Sequence, residues 1–268
     1  MAEVRLAGDE ATLTHALTLA RASGAGAPPC GPHLGLEAAY RVQQAVFDAS
    51  NATLAGYKLA ATSAQAQSAL GIDGPLVGRI ATGEVLTTGA VPPVPAGRPV
   101  YAEVELVLRL GEDLPVFTAP PPPSLLAGAI DGVFGGIEIC ASRFADDDLA
   151  AAGLVADNTL LHMLVLGDRL ATGWDEALAT LEVVLDPEGA PPIPGAANAV
   201  MGHPLRALAA LAQWLGTRGT GLRRGHIVAS GSMTGITEIA PDARVTARFG
   251  PLGLARATLV PPTTRSMA

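Results

Sequence analysis

Lysine is almost absent from this 268-residue chain: Lys58 stands alone beside sixteen arginines. In a composition this biased toward Arg, a surface lysine is readily exchanged. A retained Lys marks either chance or a need for a compact ammonium that can move a proton. Cysteine is nearly as scarce. Cys30 and Cys140 are too few for a disulfide framework or a zinc cluster. Positive charge is in deficit, with 17 basic against 25 acidic residues and a formal charge of −8. That balance argues against nucleic acid and against an anionic membrane as partners. No apolar run reaches the length of a membrane span. Met1 to Arg5 carries no apolar core of a signal peptide, so the cytoplasm is the expected compartment. Charged residues make up 16% of the chain and hydrophobic ones 49%, which excludes a disordered chain and allows a sizeable core.

Hydrophobic periodicity divides the chain. Residues 1–95 read as mostly helical and carry the lone lysine. Leu13, Ala16, Leu17 and Ala20 form one helical stripe; Ala39, Val42, Val46 and Ala49 form another. Gly24 to Pro32 is a Gly/Pro-rich break between them. Gly56 to Ala60 reads as a short strand. Thr62 or Ser63 then caps a helix that runs to Leu70 and stops at Gly71. Pro92, Pro93 and Pro95 mark a boundary, and residues 96–268 read as strand-rich. Strands are expected at 100–110, 135–141, 161–166, 181–185, 227–229, 245–249 and 254–260. Two helices interrupt them, one capped by Ser124 and running to about Val133, the other over 203–215. The expected fold class is α+β, a helical N-terminal region packed on a mixed-sheet body.

Alternation along 100–110 puts Glu103 and Glu105 on one face, with Ala102, Val104, Leu106 and Leu108 on the other. Two carboxylates about 7 Å apart along a strand repel each other and resist burial. On an edge strand water compensates and the pair carries no meaning. On a central strand a cation is the economical compensation. Glu138 sits in a similar setting between Ile137 and Ile139. Three strand-borne carboxylates without a Cys/His cluster point to a hard ion, Mg²⁺ or Mn²⁺, over Zn²⁺.

The segment Gly56-Tyr57-Lys58-Leu59-Ala60-Ala61-Thr62-Ser63 resembles the G-[WY]-K-[IL]-G-x-T-S signature of the 2-keto-4-pentenoate hydratases. These belong to the fumarylacetoacetate hydrolase superfamily, with the 4-oxalocrotonate decarboxylases as close relatives. Matching segments follow in the family's order: Leu70 to Pro75, Ala102 to Glu105, Gly136 to Ile139, Ala156 to Asn158, Val165 to Gly167 and Ser230 to Gly235. The resemblance implies a β-roll body of the superfamily's type. It implies that Glu103, Glu105 and Glu138 are metal ligands and Lys58 the active-site lysine. It places Ser230, Ser232 and Thr234 in a substrate loop. The implied substrate is a 2-hydroxy-2,4-dienoate or its 2-keto tautomer, and the implied assembly a homo-oligomer. Mg²⁺ would chelate the C1 carboxylate and C2 oxygen. Protonation at C5 and addition of water at C4 would give a 4-hydroxy-2-keto acid. The alternatives are decarboxylation of a 2-keto diacid, and a weakly active relative with a buried structural ion network.

The chain departs from the family at four apolar positions. Leu76 stands where P-D-F-G has its acid. Ala141 replaces the acid of E-[IV]-x-D-S-R, and Leu160 and Leu161 replace two hydroxyls of D-N-A-S-S. These changes imply retained metal chemistry beside a more apolar pocket. Arg143 is a candidate for a substrate carboxylate or for an ion pair. His162 reads as a core or subunit-contact histidine, His203 as a helix cap or a solvent contact, Cys140 as packing, and Asp146 to Asp148 as a solvated loop or cap. Gly231-Ser232 lacks the full G-x-S-x-G of a nucleophile elbow.

Overall fold

The structure, a computed structural model, describes residues 7–29, 33–145 and 150–261. Cys30, Pro32 and Asp146 to Asp148 lie outside the described residues. The two helical stripes form α1 (Gly8–Ser23) and α2 (Leu36–Ala49). Leu17, Ala20, Ala39, Val42 and Val46 are buried. Ala49, at the end of the second stripe, is exposed. After β1 (Leu54–Ala60), the Ser63 hydroxyl caps α3 (Ala64–Leu70) by accepting from Ala66 N at 3.1 Å. Gly71 ends that helix at φ 64°, a left-handed angle that glycine takes without strain. Then come β2 (Leu76–Ala81) and β3 (Val85–Thr87), neither anticipated from the sequence.

The strand β4 (Val100–Leu110) has the expected bounds. The next helix differs. α4 (Pro123–Ala129) starts behind Pro122, so Ser124 lies inside it and caps nothing. It stops before Val133 because β5 (Ile130–Cys140) already pairs there, Ile130 with Leu110 and Val133 with Leu108. Long-range pairing of β-branched residues overrides the local helical pattern. The chain continues through α5 (Ala151–Ala156), β6 (Leu161–Ala171), β7 (Glu182–Pro187) and β8 (Ile193–Ala196). α6 (Pro204–Gly216) is capped as expected by His203, whose ring accepts from Leu205 N. β9 (Ile227–Ala229), β10 (Thr237–Ile239), β11 (Arg244–Arg248) and β12 (Leu254–Thr258) complete the fold.

The strands form two sheets. The larger runs β2-β1-β9-β4-β5-β6-β3, with β10 also paired to β4. It is mixed, parallel at β1–β9 and β3–β6 and antiparallel elsewhere. The smaller runs β12-β11-β7-β8. Strands from the first 95 residues thus share a sheet with strands from the remainder. The face carrying Ala102, Val104, Leu106, Leu108, Ile137 and Ile139 is fully buried in the core that also holds Val245, Ala247, Phe249 and Ala255 of the second sheet. The Phe249 ring covers Gly135, where an added Cβ would come within 2.3 Å of it. The outer strand β2 is closed by side chains. Tyr40 Oη accepts from Val77 N, Gln43 Nε2 donates to the Val77 carbonyl, and Asn158 pairs with the Arg79 backbone. No helix among the described residues is long and apolar enough to cross a membrane.

Candidate active site

The sheet order resolves the ambiguity of the two glutamates. β4 lies between β9 and β5, and β5 between β4 and β6, so neither strand is an edge. Register then sets Glu103 directly opposite Glu138, and Glu105 opposite Gly136. All three carboxylates stand on the face turned away from the second sheet. Lys58 arrives from β1, two strands over: it pairs with Ala229 of β9, which pairs with Val107 of β4. Its Nζ lies 2.8 Å from Glu138 Oε1 and donates to the Thr159 carbonyl at 2.9 Å. Lys58 is 1% exposed, while Glu105 and Glu138 are 0% exposed.

Burial opposes charge on every one of these groups. For Lys58 the desolvation that lowers its pKa is outweighed by Glu138, then Cys140, Glu103 and Glu105, and its pKa stays above the ordinary lysine value. The glutamates thus favour the ammonium over the neutral amine. Burial pushes Glu103 up, opposed by the Lys58 charge, and pushes Glu105 well up, reinforced by Glu138 and Glu103. One ammonium against three carboxylates leaves the cluster short of positive charge. Hydrogen bonding is also incomplete. Glu105 Oε1, Glu138 Oε2, Ser230 Oγ and Ser232 Oγ are buried without a partner among the described residues. Such atoms are rare in folded proteins and ask for an ion, a ligand or water. Oxygen donors with unmet electrostatic demand suit a hard divalent cation.

The backbone holds the cluster from both sides. The loop after β9 runs along β4: Ser230 N donates to Leu106 O, Met233 N to Val104 O, and Val104 N to Thr234 Oγ1. Gly231 N donates to Glu105 Oε2 at 2.9 Å. Gly231 has φ 112°, and a Cβ there would lie 2.4 Å from Thr62 Oγ1, so only glycine fits. On the other side Asn158, Thr159 and Leu160 all have left-handed φ, at 54°, 53° and 66°. That turn aims the Thr159 carbonyl at Lys58. Asn158 Oδ1 accepts from Arg79 N at 2.7 Å and its Nδ2 donates to Arg79 O at 2.8 Å.

A cavity of about 260 Å³ opens onto the cluster. Lys58, Glu103, Cys140, Thr159 and Ser232 line one end; Leu70, Leu76, Leu154, Leu160 and Ile236 form the aliphatic wall. Of the four apolar departures, Leu76 and Leu160 line it; Ala141 and Leu161 are buried elsewhere. Among the sequence candidates, Ser230 and Thr234 brace the loop and Ser232 faces the cavity. Arg143 is not at the cavity. Its guanidinium donates to the carbonyls of Ala141, Asp157 and Leu161 and pairs with Asp157, so it braces the 157–161 turn. His162 bonds the Pro93 carbonyl at 2.7 Å and is half-buried.

Two participants escaped the sequence. Thr159 contributes a carbonyl, which every residue has; the sole hint is the preceding Asn, a residue that tolerates left-handed backbone. Cys140, read as packing, has its Sγ 3.2 Å from Glu138 Oε1 and 3.6 Å from Glu103 Oε2. Period-two spacing from Glu138 was the available signal.

No family-wide profile matches the chain. Individual relatives do. A 2-keto-4-pentenoate hydratase of Paraburkholderia phymatum is 30% identical over 223 residues, 82% of this chain and 84% of that protein. A 4-oxalocrotonate decarboxylase of Pseudomonas putida is 28% identical over 207 residues, 77% of this chain and 78% of the relative. The 4-oxalocrotonate decarboxylase of Pseudomonas putida G7, solved with magnesium and adipate, superposes with a TM-score of 0.86 at 24% identity. The match covers 96% of this chain and all of that one. The lysine signature, the order of matching segments and this breadth of likeness agree. The chain belongs to the 2-keto-4-pentenoate hydratase and 4-oxalocrotonate decarboxylase family of lyases, and its fold is shared with fumarylacetoacetate hydrolase-type proteins.

Proposed function

We propose that this protein is a Mg²⁺-dependent hydratase that adds water to a 2-hydroxy-2,4-dienoate and yields a 4-hydroxy-2-keto acid. The observation that carries this reading is the convergence of Glu103, Glu105, Glu138 and Lys58 on one buried sheet face at the end of a small, largely aliphatic cavity. Glu103, Glu105 and Glu138 would hold Mg²⁺ or Mn²⁺, which supplies Lewis acidity toward the oxygen-rich end of a 2-keto acid. Lys58, at the cavity wall and steadied by the Thr159 carbonyl, would hydrogen-bond the substrate or move its protons. Ser232, Thr62 and Ser63 line the same cavity and offer hydroxyls to the incoming water. Arg143 acts only by bracing the Thr159 turn.

Lys58 is the one cation among the described residues that line the cavity, and it is engaged with Glu138. Among the described residues no basic group lines the aliphatic wall to meet a second carboxylate, which favours a monoacid. The second reading, decarboxylation of a 2-keto diacid, is supported by the relatives of that name. An aliphatic wall leaves a distal carboxylate poorly solvated, a setting that favours loss of CO₂. Purified protein with Mg²⁺ should consume 2-hydroxypenta-2,4-dienoate and form the 4-hydroxy-2-keto acid by NMR, and a chelator should stop it. Release of bicarbonate from a 2-keto diacid without hydrated product would select the decarboxylase. We also read the protein as a cytoplasmic homo-oligomer, following the family resemblance, with light scattering on a sizing column as the check.

A further inference from the structure

Cys140 lies two residues from Glu138 on β5 and faces the same way, with its sulfur at the cavity. One donor atom each from Cys140, Glu103 and Glu138 falls within 4.8 Å of the others. The sulfur is 3.2 Å from Glu138 Oε1 and 3.6 Å from Glu103 Oε2. A tetrahedral Zn²⁺ with sulfur and oxygen at their ordinary bond lengths holds neighbouring ligands roughly 3.5 Å apart. The sulfur already stands at about that spacing from each of the two carboxylate oxygens. Glu138 is fully buried, and its Oε2 has no hydrogen-bond partner. Its Oε1 meets both the sulfur and Lys58 Nζ, so an ion beside the sulfur shares Oε1 with Lys58 or draws on the unpartnered Oε2. Glu103 and Cys140 both line the cavity, which gives an ion a route in and leaves a fourth position facing solvent or substrate.

We propose that Cys140, Glu103 and Glu138 form a mixed sulfur–oxygen site for a thiophilic divalent ion, Zn²⁺ or Cd²⁺. Thiolate sulfur selects such ions and contributes little to Mg²⁺, which demands oxygen. Coordination replaces the S–H bond by a sulfur–metal bond and passes the proton to solvent, with no change in oxidation state. Two of the three ligands are shared with the three-glutamate set. Where that set holds Mg²⁺, as proposed above, the two ions exclude each other, and the sulfur makes the site vulnerable to the wrong metal.

The test is a Cd²⁺ titration of the full chain, followed by ultraviolet sulfur-to-cadmium charge-transfer absorption and by calorimetry. The wild type should show the band. Cys140→Ser should lose it and bind Cd²⁺ about 10- to 100-fold more weakly, the range for lost support of a metal site. Mg²⁺ affinity should change by less than about twofold, since sulfur is a poor Mg²⁺ ligand. Cys140→Ala, checked by a thermal melt, repeats the comparison in case the serine variant folds poorly. A band that persists without Cys140, or equal Cd²⁺ affinity in all three proteins, overturns the proposal. Failure of Mg²⁺ to bind any of them sinks the three-glutamate reading and leaves the sulfur site standing.

Discussion

Lys58 occupies a space shaped for an ammonium. Nζ sits between Glu138 Oε1 and the Thr159 carbonyl, and the residue is 1% exposed. A guanidinium is planar and larger and spreads its charge over three nitrogens, so it cannot present a proton from the point that Nζ occupies. Lys58→Arg should therefore lower turnover by at least about 100-fold, the scale of a lost acid–base group. Its overpacking should cost about 1–3 kcal/mol, well short of unfolding. Steady-state rates beside a urea melt check both parts, and retained activity would make Lys58 a mere counter-charge. Glu105 offers a cleaner separation of charge from shape. Glu105→Gln still accepts from Gly231 N but loses the negative charge. Mg²⁺ affinity by calorimetry should fall about 10-fold or more, as for other disrupted metal sites. An unchanged affinity removes Glu105 from the ligand set.

At the scale of an element, the turn from Asn158 to Leu160 is the costly feature. Non-glycine residues in the left-handed region are strained by about 1–3 kcal/mol each in the least favourable cases, and here three follow in sequence. Two side chains hold the turn. Asn158 replaces a missing strand partner along β2, and Asp157 accepts from Arg143 N at 2.8 Å while pairing with its guanidinium. Asn158→Ala leaves the Arg79 backbone groups unpaired and should destabilise by about 1–3 kcal/mol. Because the turn sets the Thr159 carbonyl against Lys58, kcat should fall more than KM rises. A stability loss with an unchanged kcat would reduce the turn to scaffolding.

For the whole molecule, the buried carboxylates tie stability to pH and to metal. Burial raises the pKa of Glu103 and Glu105 above the ordinary glutamate value of 4.5. The native state then binds protons more tightly than the unfolded chain. Their contribution is full below 4.5 and is lost as pH rises through the raised values. Lys58 has the same sign, but its contribution is lost only above the ordinary lysine value of 10.5. Chelator-treated protein should thus melt at falling temperatures as pH rises from acid toward neutral. Mg²⁺ held at one concentration, a hundred times its Kd at neutral pH, should restore about 2.7 kcal/mol there and less toward acid pH, where protons compete for the carboxylates. A flat profile without metal, or equal gains at every pH, contradicts this account.

The residues themselves determined what is local. Period-two alternation sorted Glu103 and Glu105 from Val104 and Leu106, Ser63 and Gly71 bounded α3, and His203 opened α6, because each rests on neighbours a few positions away. The scarcity of lysine singled out Lys58, and the spaced segments pointed to the family. Strand pairing could not be read this way. β5 claimed Ile130 to Val133 from a helical pattern, and β2 went unnoticed until α2 and Asn158 closed its edge. The tertiary structure alone decided that β4 and β5 are central, that Glu138 faces Glu103, and that a carbonyl 101 residues from Lys58 completes its shell. It also moved Arg143 from the pocket to the turn and Cys140 from packing to the carboxylates. The reason is physical: which face a side chain takes is set by its own backbone, whereas its desolvation and its partners are set by strands that meet only in the folded sheet.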